Sequence, residues 1–169
     1  METSKTFEKS ERSNKAGGFT LIELLIVVAV IMVIAGIAIP NFIRSKMRAN
    51  ESGAVANLRT ITTANVVFST TYGAGFGTSL AVLGGDPTTP SVTSAGLIDS
   101  VLSAGVKSGY IYTYTPLSVD AGGNYQAFSV NADPITPGTT GDRHFYTDQT
   151  NVIRVNLTAA AGLSDSPIQ

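Results

Sequence analysis

The chain has 169 residues, 43% of them hydrophobic and 14% charged, with a formal net charge of −1. That suits one modest globular domain with an anchor, and no direct nucleic-acid binding is expected of it. It contains no cysteine, which excludes a disulfide framework, thiol chemistry and any cysteine-based metal site.

Residues 1–18 are polar, with Lys5, Lys9, Arg12 and Lys15 set against Glu2, Glu8 and Glu11. A secretory signal places its small-residue cleavage site after an apolar stretch. Here Gly17-Gly18 comes before the apolar stretch, so cleavage there removes only the polar leader and keeps the hydrophobic segment. From Leu24 to Ile39 no charged or strongly polar residue occurs. Residues 19–43 are long enough to cross a hydrocarbon core of roughly 30 Å as a helix. Glu23 lies near the start of that span, where an ionised carboxylate costs on the order of a few kcal/mol. A group that expensive needs a partner, and no cation lies nearby in the chain. Gly36 and Pro40 weaken the helix toward its exit, because Pro40 lacks an N–H and crowds the preceding turn.

Beyond Pro40 the pattern becomes amphipathic. Met47, Ala54, Leu58, Ile61, Phe68 and Tyr72 recur on one helix face, with Asn65 interrupting it, while Arg44, Lys46, Arg48, Glu51 and Arg59 mostly fall elsewhere. Residues 44–72 therefore read as a continuation of the same helix, ended by Gly73 and Gly75. Residues 44–59 carry a local charge of +3 and residues 60–169 one of −4, a layout that reads either as a means for identical copies to attract each other or as a solvated surface with no partner.

Residues 73–108 read as a Gly/Thr/Pro-rich connection with a helical opening over Ser94–Leu102. Residues 109–157 read as antiparallel strands. Gly109–Pro116 and Asn124–Asn131 are joined by the turn Asp120–Gly123, and His144–Thr147 and Val152–Asn156 by Asp148–Asn151. Residues 158–169 read as a loose tail. The class is α+β: a long amino-terminal helix packed on a small antiparallel sheet. Tyr110, Tyr112 and Tyr114 form an aromatic stripe read as packing rather than ligand stacking. No motif of nucleophilic catalysis or phosphate binding frames the single histidine, His144, or any serine, and the chain is not expected to be an enzyme. No cofactor is expected. Asp133, Asp142 and Asp148 surround one loop and hairpin, a set of carboxylates of the kind that calcium favours, at a spacing that does not match an EF-hand.

The segment Gly18-Phe19-Thr20-Leu21-Ile22-Glu23 resembles the processing site of type IV pilins and of the related pseudopilins of type II secretion. The resemblance implies cleavage after Gly18 by a prepilin peptidase, N-methylation of Phe19 and an assembly role for Glu23. Gly36 and Pro40 match the family's helix-loosening pair. It further implies the pilin fold, a subunit held in the inner membrane before assembly, and a homopolymer built by a pilus assembly machinery. Such fibres are extracellular and serve motility, attachment or DNA uptake. The alternative is the major pseudopilin, which forms a periplasmic pseudopilus. The absence of cysteines departs from the disulfide-bounded carboxy-terminal loop of many pilins.

Overall fold

The computed structural model describes residues 18–168. The expected leader therefore lies, up to residue 17, outside the described residues. The chain divides into two units, one ending at Ile39 and the other starting at Pro40. One helix, α1 (Leu21–Tyr72), contributes to both and carries Pro40 in its interior.

In the first unit α1 is apolar all round, and no side chain of the described residues is buried there; Ala35 alone is half-buried. Such a surface is stable only against lipid or other apolar protein. α1 is long and apolar enough to cross a membrane.

The second unit holds the core. The face read from the sequence is the buried one: Met47, Ala54, Leu58, Ile61 and Phe68 are buried and Tyr72 is packed against them. Burying each of the larger side chains contributes about 1.5–3 kcal/mol. Opposite them stand Tyr110, Tyr112, Phe128, Val130, Ala132 and Phe145 from a six-stranded antiparallel sheet whose strands pair in chain order. The strands are β1 (Val106–Lys107), β2 (Tyr110–Val119), β3 (Tyr125–Pro134), β4 (His144–Asp148), β5 (Arg154–Asn156) and β6 (Ser166–Pro167). The long β2–β3 ladder runs from Tyr110↔Pro134 to Val119↔Tyr125. Its turn is closed by the Asp120 carboxylate, which accepts from the backbone N–H groups of Gly122 and Asn124 at 2.8 and 2.9 Å.

Three expectations are corrected. The helix over Ser94–Leu102 shrinks to α3 (Ser100–Ser103), whose start is capped by the Asp99 carboxylate. The preceding stretch instead lies along α2 (Leu80–Leu83), with Ala95, Leu97 and Ile98 donating backbone hydrogen bonds to Val82 and Leu83. Gly96 permits this because it adopts φ 64°, where a Cβ would come within 2.6 Å of Pro87 Cα. The second correction concerns the last hairpin, in which β5 starts at Arg154 rather than Val152. The third is the tail, which is not loose. β6 pairs with β5, Ala161 is buried, and Asn131 donates to the Ala161 carbonyl at 2.7 Å. The Asp165 carboxylate fastens this end by accepting from Asn156 Nδ2 at 3.0 Å and from the Gly162 N–H at 2.7 Å. Of these contacts, the one from Asn131 to Ala161 spans thirty residues, which no local sequence pattern announces.

Candidate functional site

The candidate site is the amino-terminal segment, built from the residues just before and just inside α1. Gly18, Phe19 and Thr20 precede the helix, and Phe19 is exposed. Thr20 caps the helix. Its hydroxyl oxygen accepts from the Glu23 N–H at 3.3 Å, and Glu23 Oε2 accepts in return from the Thr20 N–H at 2.9 Å and the Thr20 hydroxyl at 2.8 Å. This is the reciprocal capping box of a Thr-x-x-Glu sequence, which satisfies two helix-start donors at once. The sequence reading missed it, although Thr20-Leu21-Ile22-Glu23 spells it out. Glu23 thus has a hydrogen-bonding partner inside its own chain. Thr20 is neutral, so the carboxylate has no compensating cation from it.

The residues of the span beyond Glu23 are presented outward: Leu24, Leu25, Ile26, Val27, Ile31, Met32, Ile34 and Ile37 are all exposed. Gly36 has nothing within 4 Å of where a Cβ would stand. Pro40 begins the second unit, and α1 passes through it as helix.

The other candidates from the sequence are scattered. His144 Nδ1 lies 2.5 Å from Asp133 Oδ1 on neighbouring strands β4 and β3. Asp142 accepts from the Gly138 N–H at 3.1 Å, and Asp148 accepts from the Thr150 N–H at 2.8 Å. These three carboxylates serve separate local contacts. Among the described residues, no group of three potential ligands is placed to hold a metal ion.

Two polar features of the helix face were not legible in the periodicity. Glu51, expected off the packed face, is buried. Its Oε2 pairs with Arg143 Nε at 2.8 Å, and its Oε1 accepts from the N–H groups of Asp142 and Arg143 at 3.0 and 3.3 Å. Asn65, expected to interrupt the face, is fully buried within it. Asn65 Oδ1 accepts from the Gly77 N–H at 3.1 Å, and the Tyr114 hydroxyl lies 2.9 Å from it and 2.7 Å from the Gly77 carbonyl oxygen. Two turns earlier, Asn57 Nδ2 donates to the Tyr112 hydroxyl at 2.8 Å. The tyrosine stripe is therefore packing, as read, with the Tyr112 and Tyr114 hydroxyls tied to the helix and that of Tyr110 to the Arg143 carbonyl. Burial pushes the phenols of Tyr110, Tyr112 and Tyr114 above their ordinary range, because the interior disfavours phenolate.

Comparison with known proteins gives an origin for the amino-terminal segment. Residues 13–39 match the family model of the prokaryotic N-terminal methylation motif. The chain is 55% identical over 51 residues to the type IV major pilin protein PilA of Myxococcus xanthus, which covers 30% of this chain and 23% of that protein. It is 51% identical over 43 residues to the type IV wide pilus major component PilA4 of Thermus thermophilus, covering 25% of this chain and 33% of that protein. The chain thus spans between a quarter and a third of the length of these curated relatives. No solved structure matches the chain significantly. With the methylation motif, these two relatives and a long apolar helix followed by a small antiparallel sheet, the chain is similar, over its amino-terminal segment, to type IV pilins.

Proposed function

We propose that this chain is a structural subunit that polymerises into a bacterial type IV pilus serving motility, attachment or DNA uptake. The observation that carries the proposal is the apolar part of α1, which is exposed around its circumference and headed by the methylation motif. In this reading a prepilin peptidase cuts between Gly18 and Phe19, and Phe19 becomes an N-methylated amino terminus. Residues 19–43 hold the subunit in the inner membrane, and the same surface then packs against sister helices in an extracellular fibre. Leaving lipid is tolerable only if neighbouring copies cover that surface as it leaves.

Glu23 sets the register in this scheme. Removal of the leader creates an ammonium at Phe19, and a sister chain displaced along the fibre brings its own Glu23 to that charge. Attraction in a low-dielectric bundle is offset by desolvation, so the pair acts mainly by penalising offsets that leave a carboxylate alone. Gly36 and Pro40 supply a weakened stretch of helix that lets neighbours fit. Both named relatives are pilus components, which favours a pilus over the periplasmic pseudopilus of type II secretion.

The test is mutational. Glu23→Ala and Glu23→Gln are expected to be cleaved and membrane-inserted while sheared fibre yield drops more than about tenfold. Electron microscopy and amino-terminal peptide mapping of the fibres provide the readout. Wild-type yield from both variants would refute the register role. A mature protein still carrying its leader, or a secretion defect with no surface fibres, would refute the pilus reading.

A further inference from the structure

Immediately beyond the apolar span, the second unit has an open cleft of about 710 Å³ beside α1. Arg44 and Arg48, one turn apart, stand on its helix wall, with Arg143 across from them and Met47 and Leu157 adding apolar surface. Arg44 and Arg48 are exposed, and neither makes a salt bridge among the described residues. Of the two carboxylates on the wall, Glu51 is paired with Arg143 while Asp142 keeps its charge, so three arginines against two carboxylates leave the cleft a net charge of +1. Glu51 holds Arg143 Nε and two backbone N–H groups, and Asp142 accepts from the Gly138 N–H. The cleft therefore keeps a surplus of cationic donors with no partner of their own.

Its position along the chain names the ligand. Twenty helical residues separate Leu24 from Arg44, a rise of about 30 Å, which is the thickness of a bilayer's hydrocarbon core. A chain that spans the membrane through residues 19–43 therefore places Arg44, and Arg48 a turn later, at the level of the lipid headgroups. Guanidinium forks match phosphate oxygens in geometry and charge, and Met47 and Leu157 suit the glycerol and first acyl carbons below a headgroup.

We propose that this cleft binds the phosphate headgroup of an anionic phospholipid while the subunit is in the membrane, a site vacated when the subunit leaves for the fibre. The proposal rests on the membrane stage of the reading above.

The test uses the full chain, extracted from vesicles made of equal parts phosphatidylcholine and phosphatidylglycerol, with retained lipid read by native mass spectrometry. Wild type is expected to retain phosphatidylglycerol in preference to phosphatidylcholine. Arg44→Gln and Arg48→Gln should each reduce that preference about fivefold, the usual weight of one basic residue at a charged membrane surface. Lys46→Gln, an exposed cation outside the cleft, should leave it unchanged. In wild type alone, added salt should release phosphatidylglycerol selectively. Equal retention of the two lipids, indifference to salt, or a Lys46→Gln loss as large as the arginine losses overturns the proposal. Release of the lipid by inorganic phosphate at matched ionic strength would reassign the cleft to free phosphate and also overturn it. Failure here with normal insertion and fibre formation leaves the pilus reading standing, whereas failure to insert counts against that reading itself.

Discussion

Glu51 shows how a single buried carboxylate can bind a helix to a loop far away in sequence. Its side chain is 8% exposed, and it meets Arg143 and the backbone at Asp142 and Arg143, about ninety residues on. Arg143 is 43% exposed and also lies over the Phe145 ring, 5.5 Å from its centroid. The two ends of the pair are therefore unequal. Glu51→Ala removes all three contacts and leaves the N–H groups of Asp142 and Arg143 without their acceptor, and is expected to destabilise the domain by about 3 kcal/mol. Arg143→Ala leaves Glu51 its two backbone donors and is expected to cost roughly 1 kcal/mol. Urea titrations of the two variants check this, and equal midpoints would contradict the asymmetry. From the sequence Glu51 is only a charge in a helical pattern, since its partner becomes adjacent through folding alone. Glu23 is the opposite case: both its identity and its capping partner Thr20 sit in four consecutive residues.

At the level of elements, β2 is attached to α1 by aromatic packing and by hydrogen bonds at Tyr112 and Tyr114, while Tyr110 ties it to the segment before β4. Tyr110 donates to the Arg143 carbonyl at 2.8 Å, Tyr112 accepts from Asn57, and Tyr114 meets Asn65 while stacking on Phe128 with ring centroids 5.6 Å apart. All three phenols have raised pKa values because burial disfavours their charged form. The folded chain therefore holds these protons more tightly than the unfolded chain. Their contribution to stability is complete below the unfolded value of about 10 and is lost as pH rises above it through the folded values. Urea midpoints should be flat across neutral pH and fall steeply above about pH 10. Tyr112→Phe and Tyr114→Phe should each lower stability by about 1 kcal/mol at neutral pH and make the alkaline fall shallower. An unchanged alkaline slope in the double variant would refute the assignment. The alternation of tyrosines in β2 was legible in the sequence. The asparagines that meet their hydroxyls were not, because Asn65 in a helical stripe reads as a flaw until its tertiary partners are known.

For the whole molecule, the division at Pro40 separates two kinds of stability. Every buried hydrophobic residue among those described lies between Met47 and Ala161, while none of the first unit's described side chains is buried. A fragment of residues 40–169 is accordingly expected to be soluble, monomeric and cooperatively folded, with the full chain needing detergent or lipid. Far-UV circular dichroism and sedimentation check this, and a fragment that aggregates or melts without cooperativity would contradict it.

The amino-acid sequence alone determined the apolar span, the N-terminal methylation motif, the amphipathic stripe of α1 and the turns that delimit β2 and β3. Each is a local pattern, in which periodicity, a capping residue or a turn residue acts on its neighbours along the chain. Tertiary structure alone decided the burial of Glu51 and Asn65, the extended course of residues 94–98 and the fastening of the tail through Asp165. A buried polar group is tolerable only when hydrogen-bonded, and the partners of Glu51 and Asn65 come from segments that only folding brings within 3 Å or so, while the turn at Asp165 is fixed only once β5 and β6 have paired.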